Sequence, residues 1–100
     1  MAKNQYVWDP AKERSNIKKH QVDFETAAHV FNDPFAQTEQ DQIVNGEYRW
    51  RTMGLVEGCW LLVVAHTVRE DADGTEIIRI ISARRAEPKE EKCYEQNCPL

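Results

Sequence analysis

Hydrophobic and polar positions follow two different periods along the chain, and the change of period falls at Pro34. The first part begins with a short aromatic strand at Tyr6–Trp8. Asp9 followed by Pro10 is typical of a helix N-cap and a first helical residue. These two residues predict a helix from Pro10 to about His20.

This first helix is mostly polar, so it offers few side chains for burial. Ala11, Ile17 and the stem of Arg14 form its expected buried side, and Val22 adds a contact after the turn. Asp23 is the N-cap candidate of a second helix that follows almost without a linker.

The second helix is predicted by apolar residues at i, i+3, i+4 and i+7, which share one helical face. They are Phe24, Ala27, Ala28 and Phe31. The segment 32–34 ends this helix, because a proline biases the residue before it away from the helical region.

After Pro34 the residues alternate as in strands. Tyr48, Trp50 and Thr52 alternate with Arg49, Arg51 and Met53 on a strand with two different faces. The expected elements are a short strand Phe35–Thr38, a polar loop Glu39–Gly46, this strand, a turn between Gly54 and Gly58, an apolar strand Cys59–Val68, a turn Arg69–Gly74, a strand Glu76–Ala83 and a helix from Pro88 to about Gln96. Four consecutive strands separated from the helices predict an α+β domain with an antiparallel meander, and residues 1–100 suffice for one domain.

Charge and composition set limits on function. Thirteen Lys and Arg against seventeen Asp and Glu give a net charge of −4, which disfavours a nucleic-acid partner. However, the basic residues concentrate in Ala11–His20 and Arg79–Ala86, and a fold that joins these segments would form a positive patch.

The longest apolar run, Cys59–Ala65, has seven residues, whereas a membrane-spanning helix needs ~20. The N-terminal residues show no secretory signal, so we expect a soluble, cytoplasmic protein that has no membrane partner and keeps its cysteines reduced. The sequence contains no nucleotide-binding or metal-ligand spacing, and we expect neither a cofactor nor a metal.

Cationic and aromatic residues at strand positions are the remaining candidates for chemistry. Arg79 lies among isoleucines, and regular alternation allows only one of Arg84 and Arg85 to share its face unless the strand bends. Metal-free RNA cleavage needs a base for the 2′-hydroxyl, cations for the phosphate and a proton donor for the leaving oxygen. Structural explanations also exist: a salt bridge for Arg79, a core position for His66, and packing for Tyr94.

The order of several motifs resembles the BrnT family of type II toxins. Tyr6–Lys12 and Asn16–His20 resemble its opening, an aromatic-x-Trp-Asp-x-x-Lys followed by Asn-x-x-Lys-His-Gly. Phe24–Pro34 resembles its next block, Phe-Glu-x-Ala-x-x-Val-Phe-x-Asp-Pro. The later matches are Glu47–Gly54, Leu62–Thr67, Arg79–Arg84 and the pair Glu90 and Tyr94.

This resemblance implies a RelE-like fold and a ribonuclease that a co-expressed, BrnA-like antitoxin neutralises. Such antitoxins carry a ribbon-helix-helix part, so the complex, expected as a heterotetramer, contacts operator DNA through the antitoxin. By position, the resemblance implies that Arg79, Arg84 and Tyr94 carry chemistry, with His66, Lys19 and His20 as further candidates.

We therefore expect Arg79 and Arg84 to hold the scissile phosphate, with Tyr94 stacking or positioning the RNA. His66, or the pair Lys19 and His20, is the candidate for proton transfer. The residues expected to bind RNA are Lys18, Lys19, His20, Arg49 and Arg85. The alternative function is a non-catalytic binding module, such as an attenuated toxin that acts only as co-repressor.

Overall fold

The chain folds in the predicted order of elements, and the computed structural model describes residues 4–57 and 60–97. The elements are β1 (Asn4–Val7), α1 (Pro10–His20), α2 (Phe24–Ala28), a 3₁₀ helix (His29–Asn32), β2 (Gln37–Val44), β3 (Glu47–Val56), β4 (Trp60–Glu70), β5 (Glu76–Arg85) and α3 (Pro88–Asn97). The α+β class is confirmed.

All five strands belong to one sheet with the order β1-β5-β4-β3-β2. Strands β2 to β5 form the expected antiparallel meander. The first strand pairs in parallel with β5, which makes the sheet mixed. This parallel pairing brings β1 next to the strand that carries most of the candidate arginines.

The predicted bounds of α1 are confirmed. Asp9 caps the helix, since its Oδ1 accepts a hydrogen bond from the backbone N–H of Ala11 at 2.8 Å, and Pro10 is the first helical residue. The predicted buried side is wrong, because Ala11, Arg14 and Ile17 are exposed.

A polar residue, Asn16, is the buried side chain of α1. Its Nδ2 donates to the carbonyls of Val22 and Ala83, each at 2.8 Å, and its Oδ1 accepts from the N–H of Ala83 at 3.0 Å. These bonds attach α1 to β5, so a hydrogen-bonding anchor takes the place of the apolar contact expected there.

The predicted second helix is shorter than expected and continues as a 3₁₀ helix. Phe24, Ala27 and Ala28 are buried as predicted, and Val30 is also fully buried. A Cβ on Gly54 would lie 2.7 Å from the carbonyl oxygen of Val30. Gly54 is therefore required for this close approach within β3, and the prediction that it opens a turn is wrong.

The segment Glu39–Gly46, expected as a loop, is largely the strand β2. It was missed because an edge strand with polar residues on both faces lacks alternation. Its hairpin to β3 turns at Asn45 and Gly46, whose φ values of 51° and 80° suit the tight two-residue turn that favours Asn-Gly.

The helices α1 and α2 and the 3₁₀ helix pack on one face of the sheet, called here the helix side. The buried core lies between them and the sheet, where Phe24 and Val30 meet Val64, Ile78 and Ile80. The third helix, α3, lies over one end of the opposite face, and no described helix covers the rest of that face.

Candidate functional site

The open face of the sheet carries a cluster of arginines, called here the arginine face. Its members come from the three central strands and are Arg49, Arg51, Arg69, Arg79 and Arg84. Strand alternation explains most of the cluster, because Arg49 and Arg51 point away from Thr52, which is buried on the helix side.

Arg84 joins this face because of a bulge in β5. The pairing with β4 passes from Ile80 opposite His66 to Ser82 opposite Ala65, which leaves Ile81 as an extra residue. Without it, regular alternation would put Arg85 beside Arg79. With it, Arg79 and Arg84 share the arginine face, as the site hypothesis requires.

Arg79 is held by an exposed ion pair. Its Nη2 donates to Glu47 Oε1 at 2.6 Å, and its Nε lies 3.4 Å from Thr67 Oγ1. The two charged side chains are 44% and 48% exposed. Since exposed ion pairs contribute little stability, an anionic ligand can displace Glu47 at small cost.

Arg84 is held more firmly than Arg79. Its Nη1 and Nη2 donate to the two carboxylate oxygens of Glu90 at 2.8 and 2.9 Å. The hydrogen bond from Arg84 lowers the pKa of Glu90 to about 2, and Glu90 raises the pKa of Arg84 in turn. This two-pronged pair joins β5 to α3, so Arg84 has a structural role whatever else it does.

The remaining arginines of this face differ in their partners. Arg51 pairs with Glu39, whose hydrogen bond raises the pKa of Arg51. The Nε of Arg49 is buried without a hydrogen-bond partner. Within residues 4–57 and 60–97, Arg49 and Arg69 form no ion pair, so they are the free cations of the face.

A cleft of about 250 Å³ opens between α3 and the sheet at the edge of the arginine face. Arg51, Glu90 and Met53 line it, together with Cys93 on α3. The cleft therefore offers both charged and apolar contacts next to the pairs Arg51–Glu39 and Arg84–Glu90.

His66 lies on the helix side and is not brought together with the arginines. Its side chain is only 2% exposed, its ring meets Phe31 edge-on at 4.9 Å between centroids, and Nε2 is 2.7 Å from Thr52 Oγ1. Burial lowers the pKa of His66 to about 4. At neutral pH it is an uncharged core residue with no access to a ligand on the arginine face.

Tyr94 is buried against the domain, and its hydroxyl donates to Asp33 Oδ2 at 2.6 Å. The same oxygen accepts from the N–H of Leu55 at 2.7 Å. Burial alone would raise the pKa of Asp33, but the hydrogen bonds from Tyr94, Leu55 and Phe35 outweigh it and lower that pKa. Tyr94 thus anchors α3, and its ring is not open for stacking.

The basic end of α1 lies beside the bulge of β5. Lys19 and His20 line a shallow groove that also includes Ile81 and Ser82, and Lys18 is exposed nearby in sequence. Arg85 lies on the helix side of the sheet, with its guanidinium 3.7 Å from the ring centroid of Trp60.

Sequence reasoning missed Arg51, Arg69 and the four glutamates that pair with the arginines. Alternation on β3 could have identified Arg51, since Arg51 lies two residues after Arg49 and therefore on the same face. Across the described residues, no group of three or more His, Cys, Asp or Glu could hold a metal ion. No helix there is long and apolar enough to cross a membrane.

Comparisons with known proteins agree with this architecture. The family model described as ribonuclease toxin, BrnT, of type II toxin-antitoxin system matches residues 8–90. The fold is similar to the crystal structure of the Brucella abortus ribonuclease toxin, BrnT, with 20% identity and a TM-score of 0.62 over 86% of this chain and 99% of that chain. A search of curated proteins finds no match.

The family match spans the two helices, the whole meander and the start of α3, and it therefore includes all five residues of the arginine face. Membership in a type II toxin–antitoxin family also implies an antitoxin as a protein partner. The chain belongs to the BrnT family of ribonuclease toxins.

Proposed function

We propose that this chain is a metal-independent RNA endonuclease whose arginine face binds the RNA backbone and stabilises 2′-hydroxyl attack. The observation that carries the proposal is the convergence of five arginines on one open sheet face, with Arg49 and Arg69 free of ion pairs within the described residues. Guanidinium groups suit phosphate because they donate two hydrogen bonds in one plane. A RelE-like placement of RNA, across the sheet and beside α3, is part of this proposal.

Arg79 is the primary phosphate ligand in this proposal. A phosphate that replaces Glu47 on Arg79 keeps the charge-assisted hydrogen bond and frees the carboxylate beside the reacting group. Arg84 contributes from its fixed position on Glu90, while Arg49 and Arg69 contact neighbouring phosphates. Lys18, Lys19 and His20 extend the basic surface along the edge of β5.

Glu47 is the group we assign to accept the proton of the 2′-hydroxyl. It lies on the same face as Arg79 and is 48% exposed, whereas His66 is enclosed on the other side of the sheet. The 2′-oxygen then bonds to phosphorus, the bond to the 5′-oxygen breaks, and that oxygen takes a proton from a water molecule, whose hydroxide is neutralised by the proton that Glu47 accepted. The products are a 2′,3′-cyclic phosphate and a 5′-hydroxyl.

His66 and Tyr94 enter this proposal as positioning residues. His66 holds β3 and β4 together through Thr52, and Tyr94 holds α3 against Asp33. Neither side chain touches the RNA in this scheme. Arg85 lies on the helix side, so we assign it no part in the reaction.

The test is cleavage of a defined RNA by the purified chain, in excess chelator and in magnesium, followed by analysis of the new ends. We expect equal cleavage under both conditions and 2′,3′-cyclic or 3′-phosphate ends. Products with 3′-hydroxyl ends, or activity that depends on magnesium, would exclude the mechanism.

A second candidate function is a non-catalytic co-repressor that acts with a DNA-binding antitoxin. The observation that favours it is the pairing of Arg51, Arg79 and Arg84 with glutamates, together with the net charge of −4. In either case the antitoxin we propose is BrnA-like with a ribbon-helix-helix part, in a heterotetramer that contacts operator DNA through the antitoxin. Growth arrest on expression of this chain alone would support the enzyme and contradict the co-repressor.

A further inference from the structure

A row of apolar side chains crosses all five strands on the helix side, near the β2–β3 hairpin. Ile43 is paired with Tyr48, and Tyr6 and Val68 are both paired with Ile78. Tyr48 and Val68 are the next positions on this face beyond the paired residues Trp50 and His66. The row, called here the apolar row, consists of Ile43, Tyr48, Val68, Ile78 and Tyr6.

The helices do not cover this row completely. Phe31 stacks on Tyr6 with 5.5 Å between ring centroids, and Ile78 is buried. Beyond them, Ile43, Tyr48 and Val68 are 54%, 55% and 40% exposed. Adjacent apolar side chains with this exposure on a highly charged protein are typical of a surface that a partner covers.

An acidic rim borders the apolar row and indicates the charge of that partner. Glu70 on β4 lies directly opposite Glu76 on β5, on the same face as Val68 and Ile78. Like charges directly opposite one another destabilise a sheet unless a cation lies between them. On this face the described strands carry Arg85 alone as a cation, and it lies at the far end of β5 beside Trp60.

We infer that the apolar row is the docking surface for a segment of the antitoxin that combines apolar side chains with Lys or Arg. The apolar side chains would cover Ile43, Tyr48 and Val68, and the basic residues would lie between Glu70 and Glu76. This inference rests on membership in a toxin–antitoxin family, and it is independent of the proposed ribonuclease chemistry.

A second copy of this chain fits the surface less well than an antitoxin. It would bring another pair of opposed glutamates and, among the described strand residues, no basic side chain on the helix side at that end of its own sheet. The arginines that could neutralise the rim lie on the other side of the sheet, as the pairing of Arg79 with Thr67 shows. Charge complementarity therefore selects a basic partner.

The experiment measures binding of the purified chain to its antitoxin partner, by calorimetry and by association kinetics. The double variant Tyr48→Gln/Val68→Gln should raise Kd at least tenfold, and Glu70→Lys should slow association. Ile17→Gln is the matched control, because Ile17 is 42% exposed on α1 outside the row. Thermal unfolding checks each fold, and Ile43→Gln replaces the double variant if that variant is unfolded.

Three results would overturn the inference. One is unchanged antitoxin affinity in the folded row variants. Another is a larger loss of affinity for Arg79→Ala than for the row variants, which would place the antitoxin on the arginine face. The third is a dimer of the free chain that Tyr48→Gln dissociates, since the row would then bind a second copy. Cleavage of RNA by the row variants should match the unmodified chain, so failure here is distinct from failure of the proposed function.

Discussion

The two faces of the sheet hold their polar groups in opposite ways. On the helix side, Asn16 and His66 are buried and form hydrogen bonds with other protein atoms. On the arginine face, Arg79 is half exposed and paired with a glutamate that a phosphate can replace. Polar groups on the helix side should therefore determine stability, whereas the exposed Arg79 on the arginine face should determine binding and chemistry.

The largest expected effect is the loss of activity in Arg79→Ala. If Arg79 stabilises the charge that develops on the phosphate, RNA cleavage should fall by a factor on the order of 10²–10³. The unfolding free energy should change by at most about 1 kcal/mol, because the ion pair with Glu47 is exposed. RNA cleavage and thermal unfolding should be measured on the same preparation.

Two further variants, Arg79→Lys and Glu47→Gln, test which chemical property of each residue the reaction needs. Lysine keeps the charge but loses the planar donors, so it should recover only part of the activity. Glu47→Gln should retain RNA affinity but lose most of the cleavage rate, because the amide cannot accept the proton. A folded, fully active Arg79→Ala protein would remove the central residue of the proposed site.

The next effect belongs to the helix side. Asn16→Ala leaves buried backbone groups of Val22 and Ala83 without their partner, which should lower the unfolding free energy by about 2–4 kcal/mol. The measurement is denaturant unfolding, with Ser15→Ala as an exposed control on the same helix. Below its melting temperature, the Asn16→Ala protein should keep its cleavage rate per folded molecule. A loss of activity larger than the loss of folded protein would contradict the division between the two faces.

The unfolding free energy should depend on pH in two ranges, one due to His66 on the helix side and one due to Glu90 on α3. Burial holds the pKa of His66 at about 4, below its usual 6.5, so the unfolded state takes up that proton first as pH falls. The unfolding free energy should therefore decrease from pH 6.5 to 4 because of His66. Glu90 has a pKa of about 2, below its usual 4.5, so its stabilising effect is lost between pH 4.5 and 2.

Two measurements show which residue causes the loss of stability in each pH range. The ring resonances of His66 in nuclear magnetic resonance should titrate near pH 4, and titration near 6.5 would contradict its enclosure. In Glu90→Gln, the decrease below pH 4.5 should become shallower while the decrease above it remains. An unchanged curve would show that the pair with Arg84 adds nothing to stability.

The smallest effect is expected for Arg85→Ala. Loss of its contact with the Trp60 ring should lower stability by about 0.5–1 kcal/mol, the value typical of exposed cation–π pairs. Cleavage should stay within about threefold of the unmodified chain, since oxyanion-type stabilisation requires contact with the phosphate. A loss of activity as large as that of Arg79→Ala would mean that RNA also reaches the helix side.

Sequence reasoning succeeded where a local pattern determines the structure. Asp9 and Pro10 are sufficient to place the start of α1, because capping depends on neighbouring residues alone. Alternation on β3 separated Trp50 from Arg49 and Arg51, because both faces of a strand are read from one segment.

It failed where the environment comes from distant parts of the chain. Asn16 is buried because Ala83, on a remote strand, offers it a carbonyl and an N–H. His66 and the arginines belong to opposite faces, which no spacing in the sequence reveals. The sequence predicted only part of the arginine face. Arg69 belongs to it because β4 pairs with β5 in the sheet, and this pairing is not visible in the sequence around Arg69.

The bulge at Ile81 has a consequence for the four residues that follow it. One extra residue reverses the face of the sheet on which each following side chain lies. The roles of Ser82–Arg85 therefore depend on the number of residues in the strand as much as on side-chain identity. Removal of Ile81 would exchange the positions of Arg84 and Arg85 without altering either residue. The pairing with Glu90 would then pass to a different guanidinium, so the length of the strand, rather than its composition, would decide which arginine lies on the arginine face.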